Sequence, residues 1–185
     1  MRRACLYPRG GTVTHPERAD PVVFGPGEGP ALWFLRNRMT LKALPEQTGG
    51  GFSMYESVLP PGFSPPLHIH RREAEGFYVL EGEVTVRFGD RTESGVPGSF
   101  LLLPPDVQHS FVVEGDRPAR MLTMLTPGDG LGFFTRAGTL PLHDGLPPED
   151  PEAIQRVLAV AAEYGVEIVG PPMVPTRPAV DLDSA

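Results

Sequence analysis

The apolar positions of this chain fall in runs of four to eight residues, separated by breaks rich in glycine and proline. Runs of that length, many of them alternating in polarity, predict strands rather than helices. Nine are read this way: 31–37, 40–44, 52–59, 67–70, 76–80, 83–88, 99–103, 108–114 and 119–126. Gly89-Asp90 sits between Val84 to Phe88 and Arg91 to Glu93 as a two-residue hairpin turn. Short strands at this spacing, without intervening helices, predict an all-β barrel or sandwich rather than a parallel α/β sheet. The rhythm changes once. Asp150 is a helix N-cap candidate, Pro151 and Glu152 suit the first turn, and Ile154, Val157, Leu158, Ala161 and Ala162 recur at helical spacing before Gly165 stops the run. This helix is expected to pack on the outside of the barrel. The segment Gly130-Leu131-Gly132-Phe133-Phe134 predicts a short helix whose aromatics cover one barrel opening.

Composition adjusts this picture only at its edges. The 22 glycines and 23 prolines fall mostly between the apolar runs, so they read as turns and not as disorder. A chain of 185 residues supports one well-buried core. We divide it into a Pro/Gly-rich arm (1–30), the barrel (31–138), a linker with the C-terminal helix (139–170) and a flexible tail (171–185). The net charge of −7, with no basic stripe and no helix-turn-helix pattern, argues against a nucleic-acid partner. Cys5 is the single cysteine, which excludes an intrachain disulfide and fits a reducing compartment. Met1 to Pro8 has two basic residues with no apolar run behind them, so a secretory signal is not expected. No stretch has the length of a membrane span, and a cytoplasmic location is expected.

The candidate chemistry is concentrated between Gly62 and His109. The first stretch runs Gly62, five residues, His68, one residue, His70, four residues, Glu75, six residues, Gly82; the second runs Gly98, five residues, Pro104, then Asp106 and His109. His68 and His70, two apart in a strand, share a face. If the following strand pairs as a hairpin, Glu75 sits opposite them, and the turn Pro104-Pro105-Asp106-Val107 aims His109 inward. Three imidazoles and one carboxylate form a set that binds a divalent transition metal: iron, manganese, nickel, copper, cobalt or zinc. Three of the chain's five histidines belong to this pattern. The other two, His15 and His143, read as exposed loop residues.

Gly62, His68, His70, Glu75 and Gly82 resemble the first conserved motif of the cupin superfamily, and Gly98, Pro104 and His109 resemble most of its second. The wider run from Pro66 to Gly82 is similar to small single-domain cupins of the quercetinase-like group. The resemblance implies a double-stranded β-helix (the jelly-roll or cupin barrel) with a C-terminal α-helix, and a metal held by His68, His70, Glu75 and His109. It also implies that Glu75 is a catalytic residue, both ligating the metal and accepting a substrate hydroxyl proton. Asp106 stands where the second motif usually has glycine, and Val113 where it often has asparagine; neither position is a metal ligand in the family. Asp tolerates the turn backbone for much the same reason as Gly.

Strand parity predicts the pocket wall. If Glu75 faces the metal, so do Phe77 and Val79; if His109 does, so do Phe111 and Val113. Met54, a candidate for the pocket, shares a face with Glu56, which is either a second pocket carboxylate or an outward residue. Arg71 and Arg72, near the mouth, read as solvated loop residues. Such a lining predicts a small, largely apolar or aromatic substrate with one or two oxygens for the metal. Three functions fit: a metal-dependent dioxygenase of the quercetinase-like type acting on an enol or phenol, which is preferred; a redox-neutral isomerase, cyclase or lyase; and a binding protein without turnover. A homodimer is expected, with apolar area supplied by the arm and by Trp33 and Phe34 behind it.

Overall fold

Strict alternation decides which way two central strands face. In β3 (Ser53–Leu59) every odd residue is buried, and in β10 (Ala119–Thr126) the same alternation recurs. The two strands pair antiparallel with Tyr55 opposite Thr123, so their inward sets fall on one side of one sheet. The computed structural model describes residues 21–176. The expectations placed on residues 1–20, including Cys5 and His15, and on 177–185 lie outside the described residues.

Two antiparallel sheets make the body. The strands β1 (Ala31–Phe34), β2 (Asn37–Ala43), β3, β10, β5 (Ala74–Glu81) and β8 (Phe100–Leu103) lie side by side in one sheet, in the order β1-β2-β3-β10-β5-β8. The second sheet has the order β11-β4-β9-β6-β7, from β11 (Val166–Pro172), β4 (Pro66–His70), β9 (His109–Val113), β6 (Val84–Phe88) and β7 (Arg91–Gly95). Chain neighbours β4 and β5 lie in different sheets, so the histidines and Glu75 reach the interior from opposite walls. This is a double-stranded β-helix, the predicted fold class. Its closed end holds Leu59, Val79, Val84, Val86 and Val113, all fully buried. The other end is roofed by helices α1 (Leu131–Ala137) and α2 (Ala153–Val160). Phe133 and Phe134 of α1 meet Phe34 edge-on at centroid distances of 5.5 and 4.9 Å, the arrangement the aromatic quadrupole favours.

Several boundaries differ from the sequence reading. The run 31–37 breaks at Leu35, whose φ of 54° turns the chain between β1 and β2. Trp33 and Phe34, expected to offer exposed apolar area, are buried: Phe34 lies under α1, and Trp33 donates through Nε1 to Gly145 O and meets the exposed His143 ring. Helix α2 starts later than expected. Asp150 accepts from Glu152 N and pairs with Arg156, thereby fastening the turn ahead of the helix. The buried stripe is Ala153 and Val157 of α2 and Ala161 of the 3₁₀ turn that follows, while Leu158 is exposed. Gly165 ends the following 3₁₀ turn in the left-handed conformation, as the pattern predicts. The strand β11 was not anticipated. It pairs with β4, and Pro171 and Pro172, assigned from the sequence to a loose tail, belong to it. β7, polar and exposed along most of its length, extends the Gly89-Asp90 hairpin.

Candidate metal centre

His68 and His70 both come from β4, two residues apart on its inner face, and His68 lies directly across from His109 at the start of β9. Asp106 precedes His109 in a turn with φ of 67°, the left-handed backbone that Asp adopts at modest cost. Its N–H donates to His70 O at 2.9 Å, which ties the turn to β4. Outside the barrel, Arg71 spans Asp106 at 2.8 Å and Glu167 of β11 at 2.7 Å, so this exposed arginine clamps three segments around the site instead of facing only solvent. Glu75 enters from β5 of the other sheet. One ligating atom from each of His68, His70, Glu75 and His109 lies within 4.8 Å of all the others.

The proton pattern of the imidazoles shows what the cluster suits. His68 Nδ1 donates to Pro66 O and His109 Nδ1 to Val107 O, both at 2.8 Å. With Nδ1 protonated, each Nε2 presents its lone pair to the centre. There His109 Nε2 stands 3.1 Å from Glu75 Oε2, and His70 Nε2 is 3.8 Å from the same oxygen. Lone pairs facing a buried carboxylate need a cation or a proton between them. Two ligands on one ion at about 2.1 Å lie about 3–4.2 Å apart. The donor set, its protonation and its spacing therefore fit a divalent transition metal after a small contraction.

The electrostatics agree. Burial opposes ionisation of Glu75, but without a metal the proton that stands between His109 Nε2 and its carboxylate, with the fields of the three histidines, outweighs burial and holds its pKa down at about 2. Burial, with His109 and His70 beside it, lowers His68 to about 3, so this ring is neutral and ready to ligate at neutral pH. His70 runs the other way: burial pulls it down, but Glu73 and Glu75 raise it above its ordinary value. Burial and the Glu75 charge push Tyr55 well above the usual phenol range. Tyr55 Oη donates to Glu75 Oε1 at 3.3 Å, so both oxygens of the carboxylate are engaged.

Two of these neighbours escaped the sequence reading. Glu73, assigned to a polar connection, is buried, with Oε2 3.6 Å from His70 Nδ1. Carboxylates commonly orient metal-binding histidines through that second nitrogen. Its signal was its parity, two residues before Glu75. Tyr55 belongs to the inward phase of β3, opposite to the phase expected of Met54: Met54 and Glu56 point outward, where Glu56 meets Lys42 and Arg120. The phase containing Tyr55 and Leu59 would have found it.

The cluster opens into a narrow cavity walled by Phe34, Phe63, Phe77, Phe111, Phe133 and Phe134. Its open volume is about 60 Å³, less than cavities that hold a benzene ring offer. A ring-sized ligand therefore enters only as the aromatic side chains yield. Of the residues read as pocket wall, Phe77 and Phe111 line it, and Met54, Val79 and Val113 do not. Val79 and Val113 do point inward, but one step further down their strands, where they fill the closed end. Met54 is on the outer face.

Residues 55–125 match the family model described as Cupin domain. The chain is 28% identical to quercetin 2,3-dioxygenase of Bacillus subtilis over 158 residues, which is 84% of this chain and 46% of that protein. It is 28% identical over 95 residues to a germin-like protein of Oryza sativa subsp. japonica, covering 49% of this chain and 44% of that one. The chain thus spans less than half the length of these relatives. A Thermotoga maritima structure described as a predicted oxalate decarboxylase shares the fold with a TM-score of 0.53 and 21% identity, covering 57% of this chain and 98% of that one. Among the described residues no helix is long and apolar enough to cross a membrane. Residues 55–125 are thus similar to the Cupin domain, and the chain is similar over 84% of its length to part of quercetin 2,3-dioxygenase.

Proposed function

We propose that the protein is a metal-dependent dioxygenase of the quercetinase-like type, acting on a small apolar or aromatic enol or phenol. The observation that carries this reading is the convergence of His68, His70, Glu75 and His109 at one end of a cavity with aromatic walls. A divalent ion there supplies an anchoring charge for an enolate or phenolate oxygen. The surrounding residues do the rest. Six phenylalanines wall the cavity and exclude water from it. Glu75, ionised at neutral pH, accepts the substrate hydroxyl proton. Tyr55 holds its second oxygen during the transfer, and its raised pKa keeps the phenol a donor.

The test is O₂ uptake by the protein reconstituted with each candidate metal, on a panel of flavonols and β-diketones. Stoichiometric uptake with substrate loss supports the dioxygenase. Conversion without uptake replaces it by an isomerase, cyclase or lyase, and tight binding without conversion leaves a binding protein. We further propose a cytoplasmic homodimer, on the single cysteine and on the exposed Tyr78, Phe100 and Leu102 that share the outer face of the larger sheet. Light scattering should give twice 20.0 kDa at micromolar concentration; a 20.0 kDa species refutes the dimer.

A further inference from the structure

The cavity wall carries one polar pair that the metal site does not use. Asn37, the first residue of β2, is 7% exposed, and Ser57 on β3 is 2% exposed. Both line the cavity. The Asn37 amide donates through Nδ2 to Ser57 Oγ at 3.0 Å, and its Oδ1 has no hydrogen-bond partner among the described residues. An unsatisfied amide end in a buried wall destabilises the fold, so a fold selected only for stability would place an apolar side chain here.

The pair also stands away from the metal ligands. In the sheet register Ser53 lies opposite Leu125, which lies opposite Glu75; Ser57 lies opposite Met121, which lies opposite Val79. Ser57 is therefore two inward rows below the level of Glu75, about 13 Å along the strand direction, and Asn37, whose neighbour Arg38 lies opposite Val58, is one row further. Phe63, Phe77 and Phe111, with Tyr55 and Thr123 of the middle row, make the wall between. Once its aromatic walls yield, one cavity thus has an ion-binding end, a largely aromatic waist and a further hydrogen-bonding pair beyond it.

We infer that Asn37, held by Ser57, is a specificity-determining residue that binds a hydroxyl group on the end of the substrate remote from its metal-binding oxygens. A hydroxyl both donates and accepts, so it satisfies whichever end of the amide Ser57 leaves free. The inference rests on the proposed metal-dependent reading and narrows it: the substrate is an enol or phenol bearing a second, distal hydroxyl. A site built to hydrogen-bond such a group discriminates strongly against the analogue lacking it, because its own polar atom is then left unpaired.

The test uses two matched probe pairs of different reach, allomaltol with kojic acid and 3-hydroxyflavone with 3,4′-dihydroxyflavone. Each pair has the same chelating oxygens and differs by one remote hydroxyl. Titration calorimetry is run on zinc-loaded and metal-free protein, wild type and the double variant Asn37→Leu with Ser57→Ala. In at least one pair the hydroxylated probe should bind wild type about tenfold or more tightly, and that advantage should fall below about threefold in the variant. The variant's melting temperature should hold or rise, since both polar partners are removed together. No hydroxyl advantage in either pair, an advantage that survives in the variant, or a variant that melts well below wild type as a structural pair would, overturns the inference. Equal binding of the unhydroxylated probes to zinc-loaded and metal-free protein is a different result: it sinks the metal reading, while the hydroxyl comparison still reads Asn37.

Discussion

Glu75→Gln keeps the length and one oxygen donor of the side chain and removes its charge. The structure sets the size of the effect. The site holds Glu75 at a pKa of about 2 against an ordinary 4.5, with His109 hydrogen-bonded to one oxygen and Tyr55 to the other. That fall means the surroundings favour the anion over the neutral form by about 3 kcal/mol. Glutamine imitates the neutral form, so the metal-free variant should be less stable than wild type by about that amount at pH 7, read from urea midpoints at unchanged m-value. Turnover tests the second role. The variant should retain much of its metal by elemental analysis, because three imidazoles remain, and lose at least about a hundredfold in turnover, the scale of a general base. A metal-loaded variant with near-normal turnover would reduce Glu75 to a ligand. Equal stability of the two metal-free proteins would show that the histidine cluster does not favour the anion, against the charge pattern derived above.

Replacing His68 and His70 together by Ala should abolish high-affinity binding of divalent metals, measured by titration calorimetry; unchanged binding refutes the site. Stability of the metal-free protein should depend on pH through His68, whose folded pKa of about 3 lies below the ordinary 6.5. A depressed folded pKa adds stability that is complete above about 6.5 and is lost as the pH falls toward 3, and Glu75 adds a further loss from 4.5 down to about 2. His70, raised, acts in the opposite sense and only above about 6.5. His68→Leu should flatten the acid limb between pH 6.5 and 3 in equilibrium unfolding, and an unchanged limb would contradict the assignment. Phe134→Ala removes a buried ring that packs on Phe34, Phe133 and Tyr55 over the cavity. It should cost about 3–5 kcal/mol in urea unfolding and admit bulkier chelators; a loss under about 1 kcal/mol would mean that the roof is not packed as described.

What could be read from the residues one by one followed local rules. The apolar run Phe111 to Val113 and the apolar residues crowded into 119–126 marked β9 and β10, and Phe133-Phe134 marked a helix over the opening. The reading failed where two phases were equally apolar. In β3, Met54 and Val58 compete with Tyr55 and Leu59, and only the pairing with β10 decides which set turns inward. It failed again at β11, where two prolines and a glycine hide a strand whose formation depends on a partner about a hundred residues earlier.

The sequence alone determined the ligand types and their local geometry. Spacing by two on one strand is enough to put His68 and His70 on one face, and a left-handed turn at Asp106 is enough to redirect the chain ahead of His109. Local covalent geometry does this work, and it needs no partner. The tertiary structure decided everything that depends on contact across the barrel. It brought Glu75 from the opposite sheet, buried Glu73 behind His70, set Tyr55 against Glu75, and left one end of the Asn37 amide unpaired in the cavity wall. It also placed Val79 and Val113 at the closed end although their parity matches that of Phe77 and Phe111. Parity says which face a side chain takes, but depth along the barrel follows from the register between strands far apart in the chain, and no local pattern encodes that.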